Sequence, residues 1–494
     1  MRFLYFRPRL LFSSSSLFQT KLFINGAFLT SSKAQTIPVL NPATETLLAE
    51  VQEATSEDVD LAVRSAKNAL PIWSSASPST RANCLFKLSE IMTTEADNLA
   101  WIEAQNTGKP YKIARRNDLS GAINMFKYYA GYADKLHGQT IPISSDFLCF
   151  TKPEPVGVCG QILPWNFPLS GLAAKIAPAL IAGCTVVLKP AELTPLSALY
   201  LAKFFNEAGF PAGAINIING YGNNTGECLI KHPLVNKVSF TGSTDVGLHI
   251  MKNCHVNGLK KVSLELGGKS PLIVLDDADV DFAVKQAQGG NFYNSGQICI
   301  AGSRVFVQES IYETFVKKSI EAIQKRVVGD PFDKKTELGP LMSEKQRSRY
   351  LYYVKKGVDE GAKLLVGGKK IDGKKGFFVE PTIFANVSDE MTIAKEEIFG
   401  PVMSILKFKT IEEVLRRANQ TQYGLAGGVI TKSLEKALEV VNGLKCGTVW
   451  VNCYGVFESN APFGGVKNSG VGKEHGEAGI KEYLDWKTVI IKQK

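Results

Sequence analysis

The sequence has few of the residues that build metal sites and disulfide frameworks. Its nine cysteines are widely spaced, and no pair has CxxC spacing. Its five histidines form no cluster; Cys254 and His255 are adjacent, but a zinc site needs further ligands nearby. An odd number of dispersed cysteines is typical of free thiols in a reducing compartment. We therefore expect free thiols and no metal site.

The chain also lacks a membrane span and a nucleic-acid signature. Its longest apolar stretch, residues 172–188, is interrupted by Lys175 and Pro178 and falls short of about 20 clean residues. Half of the net charge of +10 falls in residues 1–44, which contain five basic residues and no acid. The rest is mildly basic, without a stripe of alternating basic and aromatic residues, which argues against a nucleic-acid partner.

The N-terminal segment, residues 1–21, has no acid and is rich in arginine and serine. This composition is typical of a mitochondrial transit peptide. Arg7, Pro8 and Arg9 break the apolar run that a secretory signal needs. The alternative is a disordered arm on a cytoplasmic protein. In either case we expect the organised chain to begin near Lys21.

Short apolar strands alternate with helices from Val156 onward. The first run of predicted strands covers residues 156–163, 184–189, 214–218, 237–240 and 262–266, and the second covers 272–275, 305–308, 427–430 and 447–451. Such alternation predicts parallel sheets covered by helices on both faces. With 494 residues, two or three domains are expected. The sequence thus predicts an α/β protein with two units that join near residues 266–270.

Other elements are predicted from local signals. Asn25-Gly26 predicts a hairpin. Amphipathic patterns predict helices over 57–69 and 79–99, the second capped by Thr80, and a further helix over 194–208. The apolar strand at 489–492 has no obvious local partner, so we expect it to pair with another subunit.

Two motifs at strand ends indicate a dinucleotide site. Residues 240–247, FTGSTDVG, join a strand to a helix whose N-terminal amides can face a pyrophosphate, although the spacing is not GxGxxG. In KPAE, residues 189–192, Glu192 can accept bonds from ribose hydroxyls and would repel a 2′-phosphate. Alternatively, FTGSTDVG is an ordinary glycine-rich turn, and KPAE contains a surface ion pair.

Cys299 is a candidate nucleophile. It lies in GQICIAGS, where flanking glycines allow close approach of the backbone to a ligand. A thiolate is the strongest side-chain nucleophile for a carbonyl carbon. The alternative is a small core residue between two isoleucines, because no neighbour in the sequence lowers the thiol pKa.

Glu265 and Asn166 are candidates for a base and an oxyanion donor. Glu265 lies between two leucines and precedes two glycines, a setting that can raise a carboxyl pKa. Alternatively, Glu265 is an outward-facing residue of a strand without a catalytic role. Asn166 lies in a loop between Pro164 and Pro168, where its amide can stabilise an oxyanion. Alternatively, Asn166 caps the helix that follows.

Taken together, these motifs resemble one family. PWNFP (164–168), KPAE (189–192), FTGS (240–243), LELGGKSP (264–271), GQxCxAGSR (296–304) and EEIFGPV (396–402) are similar, in order, to the signatures of the NAD(P)-dependent aldehyde dehydrogenase superfamily, and VNCYGVF (451–457) and PFGG (462–465) extend the match. The resemblance spans essentially residues 22–492. It is strongest to the mitochondrial and cytosolic aldehyde and retinal dehydrogenase branch.

The resemblance implies a domain organisation and a reaction. It implies a Rossmann-like NAD-binding domain at 22–136 and 152–267, an α/β catalytic domain at 268–467, and a small β oligomerisation arm at 137–151 and 483–494, in a homotetramer. An aldehyde would be oxidised to an acid with reduction of NAD. Cys299 would form a thiohemiacetal and then a thioester, Asn166 and the Cys299 N–H would hold the oxyanion, and Glu265 would activate the hydrolytic water.

The resemblance also assigns the remaining site residues. Those implied for the cofactor are Ile162, Pro164, Trp165, Lys189, Glu192, Gly222, Phe240, Gly242, Ser243, Thr244, Val246, Gly247, Leu266, Glu397 and Phe399. Those implied for the substrate tunnel are Gly121, Phe167, Gly171, Ala174, Tyr293, Ile298, Ile300, Phe457 and Phe463.

The tunnel is where the chain departs from the family. Ala174 stands where relatives of this branch usually carry Trp, Tyr293 stands where Phe is usual, and both neighbours of Cys299 are Ile. These departures predict a bulky or long-chain aldehyde such as retinal. Two alternative hypotheses are that the protein is a binding protein without catalytic activity and that it is a cysteine esterase. The retained catalytic residues argue against the first, and the cofactor motifs argue against the second.

Overall fold

The computed structural model of the chain describes residues 17–493. Most of the N-terminal segment considered above for targeting, residues 1–16, therefore lies outside the described residues. The remainder of that segment is packed: Leu17 is buried, and the Phe18 ring stacks on Trp101 with ring centroids 5.8 Å apart. Residues ahead of Lys21, where the sequence predicted the organised chain to begin, are therefore already packed.

Strands and helices alternate along the described chain. The strands are β1 Leu22–Ile24, β2 Ala27–Leu29, β3 Thr36–Leu40, β4 Leu47–Gln52, β5 Thr140–Ile141, β6 Phe147–Pro155, β7 Val158–Ile162, β8 Thr185–Lys189, β9 Ile215–Ile217, β10 Lys237–Thr241, β11 Lys261–Glu265, β12 Pro271–Val274, β13 Arg304–Gln308, β14 Lys363–Val366, β15 Thr382–Ala385, β16 Val402–Phe408, β17 Ala426–Ile430, β18 Thr448–Val451, β19 Gly470–Val471 and β20 Leu484–Lys492. The helices are α1 Ser56–Ser75, α2 Pro78–Thr94, α3 Ala96–Thr107, α4 Tyr111–Ile113, α5 Leu119–Ala130, α6 Pro168–Ala182, α7 Leu196–Ala202, α8 Glu227–Lys231, α9 Thr244–Asn253, α10 Val280–Phe292, α11 Tyr312–Ile323, α12 Glu344–Asp359, α13 Thr392–Lys395, α14 Ile411–Asn419, α15 Leu434–Gly443 and α16 Gly476–Lys481.

The larger sheet has the order β19-β11-β10-β7-β8-β9-β1-β2. Its five central strands, β11 to β9, are parallel, while β1, β2 and β19 run antiparallel to their neighbours. The helix α6 follows β7 and is almost entirely buried, because it packs into the main apolar core. The short strand β19 returns to this sheet from near the end of the chain and pairs with β11.

The second sheet has the order β14-β15-β16-β13-β12-β17-β18 and is parallel apart from β14. Its central strands are buried throughout, which explains why they appear in the sequence as continuous apolar runs. The predicted α/β pattern of two units is therefore present. The proposed domain boundaries remain a prediction.

A third, three-stranded sheet has the order β20-β6-β5. The terminal strand, which we expected to pair with another subunit, has a partner within the chain that is distant in sequence. It pairs antiparallel with β6 from Leu484 opposite Pro155 to Lys492 opposite Phe147. The sequence concealed this pairing because the partner strand lies far earlier in the chain. Trp486 and Ile490 on β20 are 50% and 60% exposed.

Two helix predictions also need correction. The helix expected over 79–99 is two helices, α2 and α3, that meet at Glu95, and Ser77 rather than Thr80 caps the first by accepting a bond from the Thr80 N–H. The helix expected over 194–208 ends at Ala202. Beyond Ala202 the next backbone N–H groups bond the carbonyl three residues back, so the chain continues as tight turns.

Candidate active site

The register of the larger sheet brings the predicted cofactor residues to one edge. Ile162 at the end of β7 lies opposite Lys189 of β8 on one side and Phe240 of β10 on the other. Thr241 lies opposite Glu265 at the end of β11. Ligands of open parallel sheets bind outside these carboxyl ends.

The Lys189 ammonium is part of this edge and not a surface group. Lys189 is 2% exposed, and its Nζ donates to the carbonyls of Gly220 at 2.7 Å and Pro190 at 3.1 Å. Burial lowers the pKa of Lys189. Nζ lies 3.7 Å from the Glu192 carboxylate, which remains partly exposed. The alternative of a surface ion pair is therefore wrong for Lys189, while Glu192 faces accessible space.

Helix α9 begins at the same edge and is fixed by close backbone packing. A Cβ on Gly242 would lie 2.3 Å from the Phe240 ring, and one on Gly247 would lie 2.5 Å from Leu266. These contacts require glycine at both positions. The Ser243 hydroxyl accepts the Val246 N–H at 3.4 Å and caps the helix.

The first turn of α9 is open to a ligand. Val246 is 45% exposed, and the Thr244 hydroxyl donates to the Asn468 carbonyl. Gly222, the first residue of a π-helical turn over Gly222–Gly226, would place a Cβ in open space. A helix N-terminus beside an exposed apolar side chain fits the pyrophosphate and adenine of a dinucleotide.

Glu397 and Phe399 lie farther along the same crevice. Glu397 accepts a bond from the Gly268 N–H at 3.0 Å, and a Cβ on Gly267 would lie 2.5 Å from its carboxylate. Burial raises the pKa of Glu397 to about 7. The Phe399 backbone is left-handed, with φ 59°, and its ring meets the half-buried Trp165 edge-on at 5.3 Å. The half-buried Pro164 precedes Trp165 in the same loop.

Cys299 lies where this crevice meets the second unit. A Cβ on Gly268 would lie 2.4 Å from the Cys299 carbonyl, so the loop after β11 touches the thiol loop. Ile298 and Ile300 are buried, while Cys299 is half-buried. Cys299 therefore packs against the apolar core but, unlike a fully buried core residue, keeps part of its surface accessible.

The environment of the Cys299 thiol favours its protonated form. Burial raises its pKa well above the usual range, and the carboxyl groups of Glu265 and Glu397 raise it further. The backbone N–H groups of Cys299 and Ile300 act in the opposite direction. A thiol in this state needs a base before it can act as a nucleophile.

Glu265 is an enclosed carboxyl group. It is 4% exposed, and neither oxygen has a hydrogen-bond partner among the described residues. Burial, and then the charge of Glu474, raise its pKa well above the usual range. A Cβ on Gly464 would lie 2.6 Å from its Oε1. The alternative of an outward-facing residue is therefore wrong.

Asn166 is not a helix cap. Helix α6 begins at Pro168, and Phe167 occupies the cap position without a side-chain bond. The Asn166 Nδ2 instead donates to the Gln297 carbonyl at 3.0 Å, and Asn166 is 5% exposed. An amide nitrogen carries two hydrogens, so one remains for a ligand next to Cys299.

The structure brings several predicted tunnel residues together. Ile298 and Ile300 belong to one apolar cluster against which Phe167, Tyr293, Cys299 and Phe463 pack. The Phe167 and Tyr293 rings stack with centroids 6.4 Å apart, and the Phe457 and Phe463 rings meet edge-on at 5.0 Å.

The small residues lie on helices α5 and α6. A Cβ on Gly121 would meet nothing within 4 Å, and one on Gly171 would meet only Leu163, at 3.5 Å. Ala174 is 6% exposed and packs in the larger core. The structure therefore leaves open space at Gly121.

Two buried ion pairs near the site were not predicted. Lys175 Nζ lies 2.5 Å from the Glu474 carboxylate that acts on Glu265. Lys109 Nζ lies 2.5 Å from Asp118. The first pair joins residues far apart in the chain, and the second joins a loop to a π-helical turn. Neither leaves a local pattern in the sequence.

Residues 17–493 contain no group of three or more His, Cys, Asp or Glu side chains placed to hold a metal ion, and the nine cysteines in this range are free. None of the helices in this range is both long and apolar enough to cross a membrane.

A parallel sheet with a dinucleotide-type edge, facing a thiol in a second α/β unit, defines a class of nicotinamide-dependent oxidoreductases that use cysteine. The chain belongs to the aldehyde dehydrogenase family, whose model matches residues 28–489. Human retinal dehydrogenase 2 is 52% identical over 476 residues, which cover 96% of this chain and 92% of the relative. The mitochondrial aldehyde dehydrogenase of Rattus norvegicus is 50% identical over 478 residues, with 96% and 92% covered.

Solved structures agree with this assignment. An NAD+ complex of aldehyde dehydrogenase from Bacillus cereus has a TM-score of 0.95 and 47% identity, and covers 96% of this chain and 97% of that chain. Betaine aldehyde dehydrogenase from Staphylococcus aureus, also with NAD+, has a TM-score of 0.95 and 39% identity, with 97% of each chain covered. The predicted family, fold, enzyme class and use of NAD are thereby confirmed.

Proposed function

We propose that the protein oxidises bulky or long-chain aldehydes to carboxylic acids through a covalent adduct on Cys299. One observation carries the proposal. A half-buried thiol, an enclosed carboxyl group without hydrogen-bond partners and a buried amide converge where the two sheets meet. Each group suits one step of acyl chemistry at a carbonyl carbon.

The first step is attack of the thiol on the aldehyde carbon. The Cys299 pKa is raised, so the sulfur must lose its proton as it attacks. That proton passes to water at the half-buried thiol as the carbon–sulfur bond forms, which leaves Glu265 ionised for the hydrolytic step. The oxyanion of the thiohemiacetal is held by the free Asn166 amide hydrogen and the Cys299 N–H.

The residues of the crevice hold the cofactor. Lys189 and Glu192 bind the adenosine ribose, the N-terminal amides of α9 face the pyrophosphate, and Glu397 binds the nicotinamide ribose. NAD held by these residues would supply the hydride acceptor that converts the Cys299 adduct to a thioester. Trp165 and Phe399 wall this part of the crevice and keep water away from the reacting carbon.

Release of the acid requires an activated water. Glu265 accepts a proton from that water as it attacks the thioester, and Cys299 leaves. Because burial raises the pKa of Glu265, its ionised form is a stronger base than an ordinary carboxylate.

The preference for bulky aldehydes rests on the small residues of α5 and α6. Gly121 faces open space, and Gly171 and Ala174 offer little side chain to a substrate. The similarity to retinal dehydrogenase 2 supports retinal as one such aldehyde. We further propose a mitochondrial location, with the cytoplasm as the alternative, and a homotetramer assembled through the exposed strand β20. The similarity to a mitochondrial enzyme supports the first point.

Purified protein, NAD and a panel of aldehydes test the function through NADH absorbance. We expect NADH formation, with higher kcat/KM for ring-bearing and long-chain aldehydes than for acetaldehyde. An idle family member would bind NAD and form no NADH. A cysteine esterase would hydrolyse an ester without NAD and leave every aldehyde untouched.

A further inference from the structure

A buried ion pair lies beside the proposed tunnel. The side chains of Lys109 and Asp118 are 0% and 2% exposed, and Nζ lies 2.5 Å from Oδ2. Removing two charges from water has a large desolvation cost, so such a pair is weak evidence for stability by itself. The second contact of the Lys109 ammonium indicates what the pair does.

That second contact is with an aromatic ring of the tunnel. Lys109 Nζ lies 3.8 Å from the centroid of the Phe167 ring. An ammonium over a ring face is attracted by the ring quadrupole, and the attraction is strongest when the cation is shielded from water. Asp118 holds the ammonium in place, so the position of the ring follows from the ion pair.

The second ring of the wall is tied to the same turn. The Tyr293 ring stacks on Phe167, and its hydroxyl accepts a bond from Asn117 Nδ2 at 3.2 Å. Asn117 and Asp118 are neighbours in the π-helical turn Ala114–Asp118. One short turn therefore fixes both rings, one through the lysine and one through the amide.

The backbone that carries Phe167 is fixed on its far side as well. The Leu169 N–H donates to the Glu103 carboxyl group at 3.2 Å, and Glu103 is 0% exposed. Ser170 donates to the Asp118 carbonyl at 3.2 Å. Rotation of the Phe167 side chain is thus the freedom that remains, and Lys109 removes it.

We propose that Lys109 is a positioning residue that fixes the Phe167 ring and so sets which aldehydes the tunnel accepts. The proposal rests on the proposed function, because it concerns the same tunnel. With small residues on α5 and α6, the width of the tunnel depends on the Phe167–Tyr293 wall. A ring freed from the ammonium turns into the open space, which obstructs bulky substrates and gives small ones a closer wall.

The test compares Lys109→Met with the parent enzyme on a ring-bearing aldehyde and on acetaldehyde. We expect the ratio of their kcat/KM values to fall roughly tenfold, through KM, with kcat for acetaldehyde within about twofold of the parent. Lys109→Arg, which keeps the cation, should restore the ratio. An unchanged ratio in Lys109→Met would overturn the proposal.

A double-mutant cycle separates positioning from a general structural role. In a Phe167→Leu background, Lys109→Met should change the ratio less than twofold, because the ring is gone. The same tenfold change in both backgrounds would refute action through Phe167. If Lys109→Met does not fold with Asp118 unpaired, the ratio measured on Lys109→Met/Asp118→Asn decides, since that variant removes both charges. Absence of NADH with every aldehyde in the parent enzyme would instead refute the proposed function.

Discussion

Replacement of Ala174 by tryptophan tests whether the tunnel is open. Ala174 keeps 6% of its surface exposed, whereas Leu172 and Ala173 beside it on α6 keep none. Its methyl group packs in the larger core and keeps a small accessible area, so the test depends on whether an indole placed there has space on the tunnel side. Other residues do not readily fill that space, because Phe292 is fully buried and Tyr293 is held by Asn117.

The magnitude follows from the area that an indole covers. An aromatic side chain buries ~150–250 Å², so its absence leaves at least ~100 Å² of apolar wall for the substrate. At ~25 cal/mol per Å², a bulky aldehyde that covers this wall gains about 2.5 kcal/mol, or roughly 70-fold in kcat/KM. Ala174→Trp should remove up to that factor for a ring-bearing aldehyde and lower the KM of acetaldehyde.

Steady-state NADH kinetics on the two aldehydes provide the assay, with Ala174→Leu as a variant of intermediate size. Its effect should lie between those of alanine and tryptophan. Equal loss of activity on both aldehydes, or no change on either, would refute the reasoning, because it would show that the space is already filled or lies outside the tunnel. A normal Tm for the variant is the control for folding.

Four further results are expected. Cys299→Ser should abolish turnover while NAD still binds, measured by fluorescence titration, because an alcohol ionises far less than a thiol; turnover near the parent rate would contradict the assignment. Glu265→Gln should slow steady-state turnover by ~10²–10⁴-fold and retain a pre-steady-state NADH burst, provided hydride transfer precedes water attack; loss of the burst would place Glu265 in the first step. Glu192 predicts a higher kcat/KM with NAD than with NADP, and the reverse order would exclude its proposed role. Because the ionised form of Glu397 accepts ribose hydroxyls and its pKa is about 7, the Kd for NAD should fall as pH rises through 7, and Glu397→Gln should flatten this dependence.

The sheets were predictable from the sequence, while several helix ends were not. Buried parallel strands leave continuous apolar runs, and β7, β8 and β10 lie close to where those runs indicated. The break between α2 and α3 at Glu95 has neither glycine nor proline to mark it. The pairing of β20 with β6 depends on residues that are far apart in the chain, and no local pattern records it.

The same distinction holds for the site. Glu265 ends strand β11 and Asn166 follows strand β7, at the carboxyl ends where topology places ligands, and Cys299 lies in a glycine-flanked loop before β13, so sequence motifs pointed to all three. The sequence did not determine whether Glu265 is buried, because the alternation of residues along a strand allows it to lie on either face of the sheet. The ion-pair partners of Lys175 and Lys109 could not be predicted, because the sequence does not distinguish a buried lysine from a surface lysine.

The return of β19 to the larger sheet has a consequence for biosynthesis. Gly470 lies opposite Glu265, and the Ser469 carbonyl accepts the Leu266 N–H, so the edge of β11 is covered by residues made long after the strand itself. A nascent chain that already contains the thiol and the carboxyl group therefore has an uncovered strand edge until residues 469–471 emerge. Uncovered edges template aggregation, so chains truncated before residue 469 should depend on chaperones and lack activity.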